Sequence, residues 1–432
     1  MLDIQFIRDN RELVAEKAAQ KGYTVDISSL LDLDIQRREI LTLLEQARAT
    51  RNELSAQLKA GRPTPEQIQH GKELKEKVIA LEERLAPVEQ SYQKLLHAVP
   101  NMPLADVPIG STEDENVIAK TIGDKPIFDF EPKHHWQIAE PRDLIDKERA
   151  AKISGSRFAY IKGDLVRLQF AIVQFVMQVT GDSAILQKLI DQNGLNISAK
   201  PFTPVLPPAM LRTEPYRASA RLNAKEVTYK LEDDDLWLNA SAEHTLCTMY
   251  WNEILPEDMF PIRYLGYSTS FRREAGTYGK DTEGIIRLHQ FDKLEMEVFS
   301  DAESGLDEHK LQCAIQEYLV QQLGLPYQVL QKCTADIGKP NARGVDIEVW
   351  FPAQNTYRET HTADYMTDYQ ARDLKIRIRK SDGKIELVHT NDATAFALSR
   401  ILAAIVENNQ TRDNRIVIPD VLRPFMGGQE LI

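Results

Sequence analysis

The segment 271–299 contains the densest group of side chains that could do chemistry. If 285–299 is a strand, side-chain alternation gives it one largely apolar face and one polar face. The polar face is Arg287, His289, Phe291, Lys293, Glu295 and Glu297. Before it come a loop with Gly276, Gly279 and Gly284 and a strand that presents Arg272 and Glu274 on one face. Such a set could bind a nucleotide through arginine, a stacking ring and a carboxylate, or form the wet side of a sheet.

Arg400 is a second candidate because it carries the one charge in 393–406. The apolar periodicity predicts a helix over 394–408, in which the neighbours of Arg400 are small or apolar. A guanidinium in such surroundings requires an anionic partner or an exit to water. Both a phosphate site and a snorkelling side chain fit this pattern.

Glu359 is a third candidate, in the sequence Tyr357-Arg358-Glu359-Thr360-His361-Thr362. A carboxylate with hydroxyls a few residues away could hold Mg²⁺ or an amine, or could lie on the surface. Three other classes of protein lack support, because their motifs are missing from the sequence. It has no GxxxxGKS/T loop of the Walker type, no HExxH pair of the metalloproteases and no GxSxG elbow of the α/β-hydrolases.

The elements that must position these residues indicate an α+β domain. Segments with strand-like alternation occur in runs, with helical patterns between them, which favours a mostly antiparallel sheet. The predicted strands are 260–274, 285–299, 343–351, 375–380 and 384–389. The predicted helices are 164–190, 241–254, 306–323 and 394–408.

The first hundred residues predict a different structure. Apolar residues recur at steps of three and four on both sides of a Gly61–Pro65 break, which indicates two long helices joined by a turn. Residues 30–98 are therefore predicted to form an antiparallel coiled-coil hairpin. Its tip, 46–77, has seven basic and four acidic residues and so carries +3. This excess suits a partner with a phosphate backbone, although a surface of solvated ion pairs explains it equally well.

Composition narrows the class of protein further. The chain has 432 residues with a net charge of −12, which argues against indiscriminate nucleic-acid coating. We find no signal-like N-terminus and no apolar stretch long enough to span a membrane, so we expect a cytoplasmic protein. The three cysteines are widely spaced and match neither a disulfide framework nor a CxxC zinc site.

Taken together, these segments resemble the seryl-tRNA synthetases, a class II synthetase family. FRREAGTYGKDTEGIIRLHQFDKLEME resembles motif 2 (263–299), and HTNDATAFALSRILAAIVENNQ resembles motif 3 (within 384–408). Motif 1 is expected around 201–212. The resemblance covers nearly the whole chain and implies an N-terminal tRNA-binding domain over 1–105, with its arm at about 30–98, and a catalytic domain over 106–432.

The resemblance also implies which residues bind ATP. Arg272 would contact the α-phosphate, Phe291 would stack on adenine, the backbone at Leu288 would read the base edge, and Arg400 would bind the γ-phosphate. Arg272, Glu359 and Arg400 are the implied catalytic residues. Mg²⁺ would be bound with ATP by Glu359 and Thr362. The full implied ATP set is Arg272, Arg273, Glu274, Leu288, Phe291, Glu359, Thr360, His361, Thr362 and Arg400.

The implied serine site combines a short loop with two strands. Glu243 and Glu295 would surround the ammonium group, and Thr394 would meet the hydroxyl. The implied serine set is Ser241, Ala242, Glu243, Arg272, Glu295 and Thr394. The chain departs from the family at Asn391-Asp392-Ala393, where Leu-Asn-Gly is usual, which adds a carboxylate near this site. His361 is also unusual.

The implied activity is that of a serine–tRNA ligase, in which the serine carboxylate attacks the ATP α-phosphorus in line and tRNA then accepts serine at its 3′ end. The implied partners are L-serine, ATP, serine tRNA and a second copy of the chain, with selenocysteine tRNA as a further candidate substrate. Zinc is not expected. The candidate tRNA contacts are Arg48, Arg51, Lys59, Arg62, Lys72 and Lys75. Two alternatives remain, a non-catalytic tRNA-binding paralogue and an amino-acid:carrier-protein ligase.

Overall fold

A computed structural model of the protein describes residues 1–59, 64–222, 227–274 and 283–432. The chain divides into two units, Met1–Met102 and Pro103–Ile432. The loop glycines Gly276 and Gly279, together with Arg62 and the side chain of Lys59, lie outside the described residues.

The first unit is helical. Its helices are α1 (Ile4–Asp9), α2 (Arg11–Gln20), α3 (Ile27–Lys59) and α4 (Pro65–Ala98). Helix α4 begins at Pro65 because Thr64 caps it: the Thr64 hydroxyl accepts from the Gln67 amide, and the Gln67 side chain accepts from the Thr64 amide.

Helices α3 and α4 pack as an antiparallel pair, as predicted. Two ion pairs fix their direction: Arg37 lies 2.6 Å from Glu89, and Arg48 lies 2.6 Å from Glu82. The buried seam between the helices is Ile40, Leu44, Ala47, Val78 and Leu81. The repeat of three and four along each helix produces this seam.

The second unit combines helices with a large sheet. The helices are α5 (His135–Ala139), α6 (Lys147–Ser154), α7 (Asp164–Gly181), α8 (Ser183–Gln192), α9 (Thr213–Ala218), α10 (Glu243–Leu246), α11 (Gly305–Gln322), α12 (Tyr369–Leu374) and α13 (Leu398–Asn408). The strands are β1 (Val117–Ile122), β2 (Ile145–Asp146), β3 (Tyr160–Ile161), β4 (Thr203–Val205), β5 (Met210–Leu211), β6 (Trp237–Leu238), β7 (Ile254–Pro256), β8 (Ile262–Phe271), β9 (Gln290–Ser300), β10 (Tyr327–Gln331), β11 (Arg343–Phe351), β12 (Thr356–Thr367), β13 (Arg377–Arg379), β14 (Ile385–Leu387) and β15 (His389–Ala397).

Eight strands form the central sheet in the order β1-β10-β11-β12-β15-β9-β8-β4. All neighbouring pairs are antiparallel except β4 and β8. The main core includes residues of this sheet and of α7, α11 and α13, among them Met296, Leu168, Leu311 and Leu402. The α+β fold with a mostly antiparallel sheet is therefore confirmed.

Several predicted boundaries are wrong. The predicted helix 394–408 starts only at Leu398, because 389–397 is strand β15 in the middle of the sheet. The predicted strand 285–299 starts at Gln290. The predicted helix 164–190 breaks at Asp182, whose side chain caps α8, and 241–254 contains only the short helix α10.

None of the helices in the described ranges is both long enough and apolar enough to cross a membrane.

Candidate active site

One pocket on the polar side of the sheet collects most of the predicted nucleotide residues. Strands β9, β12 and β15, the segments around β8 and β9, and the start of α13 contribute its lining. The lining residues are Arg272, Glu274, Ile286, Arg287, Leu288, Phe291, Lys293, Glu359, Thr360, Thr362, Thr394, Ala397, Ser399 and Arg400. The structure thus brings together residues that are separated by up to 128 positions in the sequence, from Arg272 to Arg400.

A β-bulge on β12 explains why three of its polar residues share this pocket. Ile347 pairs with His361 and Glu348 pairs with Glu359, so Thr360 is the extra residue. The bulge interrupts strict alternation, and Glu359, Thr360 and Thr362 all line the pocket. His361 does not: its ring is buried on Phe396, with the ring centroids 5.1 Å apart.

Arg400 lies in the first turn of α13 and contacts Glu359 across the pocket. Its Nη1 donates to the Glu359 carbonyl at 2.8 Å and to Glu359 Oε1 at 2.9 Å. Desolvation acts to raise the pKa of Glu359, but Arg400, Lys332 and Arg272 outweigh it, and the net pKa is lowered. The predicted lone cation, Arg400, therefore has an anionic partner in Glu359.

Arg272 follows strand β8 directly and faces two parts of the site. Its guanidinium lies 5.3 Å from the ring centroid of Phe291, and its Nε donates to the Ala240 carbonyl at 3.1 Å. Glu274 accepts from Arg287 Nη1 at 2.7 Å. Arg273 points elsewhere: it does not line this pocket, and its guanidinium lies over Tyr229, 5.5 Å from the ring centroid.

Next to Lys293 and Thr394 lies a buried cluster that contains the predicted serine ligands. Lys293 forms an ion pair with Glu295 and lies 3.9 Å from Glu243. The Ser241 hydroxyl lies 3.2 Å from Glu295 and 3.3 Å from Glu243. Thr394 lies opposite Glu295 in the sheet, with its Oγ1 3.4 Å from Glu295 Oε1. Ala242 is buried beside these residues.

The next row of the same sheet adds two further acids. Glu297 lies opposite Asp392, and both are buried. Asp392 forms an ion pair with Arg221, which also lies 3.2 Å from Glu243. Asp392 departs from the family pattern in the sequence, whereas Arg221 is not among the residues that the sequence predicts for this site. No motif or spacing points to it, because it lies in an irregular segment after α9.

Burial and charge shift these acids in opposite directions. Burial raises the pKa of Glu295 to about 7, although Lys293 acts to lower it. Burial also acts on Glu243, but Arg221, His244 and Lys293 hold its pKa well below the ordinary value. Burial, followed by Asp392 and Glu243, raises the pKa of Glu297 well above the ordinary value. The cluster therefore keeps one firmly ionised carboxylate among acids that readily take up protons.

Such a cluster is suited to a small cationic ligand. Oxygen atoms of Glu243, Glu295 and Asp392 all lie within 4.8 Å of one another, a spacing that could also hold a metal ion. Lys293 and Arg221 already pair with these carboxylates. An ammonium group, which needs hydrogen-bond acceptors rather than a full coordination sphere, fits this arrangement better than a metal.

The predicted tRNA contacts belong to the first unit, Met1–Met102. Of those described, Lys72 and Lys75 are exposed on α4 and Arg51 is partly exposed on α3. Arg48 is engaged by Glu82.

Comparison with known proteins identifies the relatives of both units. Residues 1–103 match the family model described as seryl-tRNA synthetase N-terminal domain, and 228–409 match the tRNA synthetase class II core domain (G, H, P, S and T). A serine–tRNA ligase from Exiguobacterium sibiricum is 40% identical, with 100% of both chains covered. One from Thermodesulfovibrio yellowstonii is 37% identical, with 99% of both covered.

Solved structures give the same result. The seryl-tRNA synthetase of Pyrococcus horikoshii, complexed with ATP, superposes with a TM-score of 0.84 at 34% identity, covering 100% of this chain and 99% of that one. The cytoplasmic serine–tRNA ligase of Naegleria fowleri, in complex with AMP, gives a TM-score of 0.81 at 26% identity, covering 100% and 98%.

Proposed function

The chain belongs to the seryl-tRNA synthetase family, and from this premise we propose how its residues carry out the serine–tRNA ligase reaction. The observation that carries the proposal is the adjacency of two sites. A pocket with Arg272, Glu359 and Arg400 adjoins the acidic cluster of Glu243 and Glu295. ATP and serine can therefore be held side by side, as adenylate formation requires.

ATP binds in the pocket that is lined by Arg272, Glu359 and Arg400. Phe291 stacks on adenine, and the backbone at Leu288 reads its edge. Arg272, which lies between Phe291 and the Ala240 carbonyl, contacts the α-phosphate, while Arg400 leaves its contact with Glu359 to bind the γ-phosphate. Arg273 and His361 are not part of this proposal, because neither lines the pocket.

Mg²⁺ is proposed to be held beside the phosphates by Glu359 and Thr362. These side chains offer carboxylate and hydroxyl oxygens, which are the ligands that Mg²⁺ prefers. Both line the pocket, and Asp346 lies opposite Thr362 in the sheet. When bound, the ion would neutralise phosphate charge. The site as proposed contains no cysteine ligand, and we expect no requirement for zinc.

Serine binds in the acidic cluster. Glu243 and Glu295 accept hydrogen bonds from its ammonium group, and Thr394 meets its hydroxyl. Ser241 lies within hydrogen-bond distance of both carboxylates and keeps them aligned. Arg272 is the proposed cation next to the serine carboxylate, since it also faces the α-phosphate.

The reaction then needs no protein nucleophile. A serine carboxylate oxygen attacks the α-phosphorus, the bond to the β-phosphate oxygen breaks, and pyrophosphate leaves. Arg272 stabilises the charge that develops on the α-phosphate oxygens, and positioning of both substrates supplies the rest of the rate. A ribose hydroxyl at the 3′ end of the tRNA next attacks the carbonyl of seryl-adenylate, and AMP leaves.

The hairpin of α3 and α4 is the proposed tRNA-binding arm. Arg51, Lys72 and Lys75 are the best placed of the described candidates, because Arg48 is paired with Glu82. Lys59 and Arg62 remain candidates from the sequence alone. Phosphate contacts of this kind position an RNA without reading its bases.

The chain is further proposed to act as a cytoplasmic homodimer on serine tRNA, with selenocysteine tRNA as a candidate second substrate. The non-catalytic paralogue and the carrier-protein ligase are not favoured, because the full-length relatives are serine–tRNA ligases.

ATP–pyrophosphate exchange with each of the twenty amino acids tests the proposal. Serine should support exchange far better than alanine, glycine or threonine, and Mg²⁺ should be required. A matched series with a zinc-specific chelator tests the metal-free serine site. Loss of exchange on chelation, with recovery on adding zinc, would contradict it.

A further inference from the structure

Arg221 has no part in the roles assigned above, yet its side chain lies directly behind the proposed serine site. It is 14% exposed and contacts acids from two different elements. Its Nη2 pairs with Asp392 of β15, and its Nε lies 3.2 Å from Oε1 of Glu243 at the start of α10. A single cation thus connects the start of α10, where Glu243 lies, to strand β15 in the middle of the sheet.

The surroundings explain why a cation is needed at this point. Glu243, Glu295, Glu297 and Asp392 are all buried in one cluster. Among the described residues, neither carboxylate oxygen of Glu297 has a hydrogen-bond partner. Lys293 compensates the side of the cluster that borders the ATP pocket. Without Arg221, Asp392 and Glu243 would face each other across the opposite side as buried carboxylates with no cation between them.

We propose that Arg221 is a positioning residue for serine recognition: it holds Glu243 in place, with Asp392 as the anchor that fixes Arg221. The proposal rests on the role of Glu243 as a ligand of the serine ammonium group. Arg221 contacts Oε1 of Glu243, whereas Ser241 and Lys293 lie near Oε2. The carboxylate is therefore held from both sides and presents a fixed acceptor to the ligand.

The shape of the guanidinium is part of the argument. A planar fork can contact two carboxylates at once, whereas an ammonium group on a flexible chain acts as a point charge. Lysine at 221 should therefore neutralise the cluster without fixing both acids. We expect R221K to restore only part of what a neutral substitution removes.

Steady-state pyrophosphate exchange separates this role from a merely structural one. Arg221→Met should raise the KM for serine by about ten- to a hundredfold, as for loss of a buried charge-assisted contact, while the KM for ATP stays within about twofold. The KM for serine of R221K should lie between those of R221M and the parent protein. Arg217→Ala is the matched control, because Arg217 is half exposed on α9 and its carboxylate, Asp373, is 3.9 Å away. That control should leave both KM values unchanged.

A double-substitution cycle tests the link to Asp392. In an Asp392→Asn background, residue 392 carries no charge that could repel Glu243 once Arg221 is replaced. R221M should therefore raise the KM for serine several-fold less than in the parent protein. Equal effects in both backgrounds, or equal rises in the KM values for serine and ATP, would overturn the proposal. If R221M alone does not fold, as judged by thermal unfolding, comparison of R221M/D392N with D392N retains the KM test.

Glu243→Gln distinguishes failure of this inference from failure of the proposed function. A normal serine KM in E243Q would remove the ammonium role itself. A raised serine KM in E243Q with a normal one in R221M would instead remove only the positioning role of Arg221.

Discussion

At the scale of single residues, charged side chains of the site pair with one another, and the proposed binding of substrates would rearrange these pairs. Arg400 donates two hydrogen bonds to Glu359, one to its carbonyl and one to its carboxylate. Because Arg400 also lowers the pKa of Glu359, the pair stays charged at neutral pH. In the proposed ATP complex, a phosphate would offer Arg400 more negative charge than one carboxylate does, and release of Glu359 would free an oxygen ligand for Mg²⁺.

Substitution of Arg400 tests this exchange of partners. Arg400→Ala should cost about 2–4 kcal/mol of transition-state stabilisation, read as the loss in kcat/KM for ATP in pyrophosphate exchange. Folding should survive, because the side chain lies at the start of α13 and its partner Glu359 is about half exposed. Unfolding of the variant, with an unchanged rate per folded molecule, would make Arg400 structural.

The raised pKa of Glu295 predicts a pH dependence of serine binding. An ammonium ligand favours the ionised carboxylate, and this carboxyl takes up a proton as the pH falls through about 7. The KM for serine should therefore rise below pH 7, approaching about tenfold per pH unit, and level off above it. Exchange assays from pH 5.5 to 8.5 measure this, and Glu295→Gln should bind serine weakly with a flat profile. A flat profile in the parent protein would contradict the assignment.

Residues whose position follows from a local pattern could be predicted from the sequence, and residues positioned by distant contacts could not. Alternation along one strand placed Lys293, Glu295 and Glu297 on one face, and the structure keeps them together. His361 is predicted to share the pocket with Thr362, but alternation turns these two neighbours to opposite faces, whereas the bulge at Thr360 brings Glu359 to the face of Thr362. The role of Arg221 follows only from its contacts with Glu243 and Asp392, which are distant in the sequence, so no local pattern could reveal it.

At the scale of elements, a buried histidine joins the two segments that frame the proposed ATP pocket. His135 Nε2 accepts from the Ile285 amide at 3.0 Å, and its Nδ1 lies 2.9 Å from Glu407 near the end of α13. Gly284 makes this approach possible: it has φ +68°, and a Cβ there would lie 2.0 Å from Nε2. The segment that leads into β9 is thereby fixed against α13.

The close approach of Gly284 to His135 predicts that one added methyl group will strongly reduce stability. Gly284→Ala should lower the free energy of unfolding by about 2–4 kcal/mol, because backbone strain adds to a clash inside packed structure. Gly324→Ala is the matched control, with the same φ of +68° and nothing within 4 Å of its Cβ. Gly324→Ala should lower the free energy of unfolding by only about 1 kcal/mol, from backbone strain alone. Equal losses in denaturant titrations of the two variants would show that the approach of His135 is not restrictive.

Element boundaries also show where sequence periodicity stops being informative. The run around motif 3 is apolar enough to fit a helix from 394, yet 389–397 pairs with β9 and β12 as a central strand. Short apolar runs fit both periods, and only the sheet partners decide between them. The hairpin of α3 and α4 was predicted well because its repeat continues through many turns.

At the scale of the whole molecule, activation and RNA binding are assigned to different units. The chain carries a net charge of −12, whereas the arm tip, 46–77, carries +3 from seven basic and four acidic residues. All proposed ATP and serine ligands lie in the second unit, and the described tRNA candidates lie in the first. The two half-reactions should therefore respond differently to loss of the arm.

Deleting residues 41–85 with a short Gly/Ser bridge tests this division. The cut removes the basic tip but keeps Arg37 and Glu89, whose 2.6 Å pair holds the helices together at the base. It also keeps Asp34, which is buried and paired with Arg8. Serine-dependent pyrophosphate exchange should stay within a few-fold of the parent protein, whereas tRNA charging should fall by orders of magnitude.

In the intact protein, tRNA affinity should weaken as salt rises, because phosphate contacts release counterions. A double charge reversal of Lys72 and Lys75 to Glu is the companion variant, which should weaken tRNA binding while the hairpin and the exchange activity remain. Undiminished charging by the deletion variant would show that the arm does not bind the tRNA.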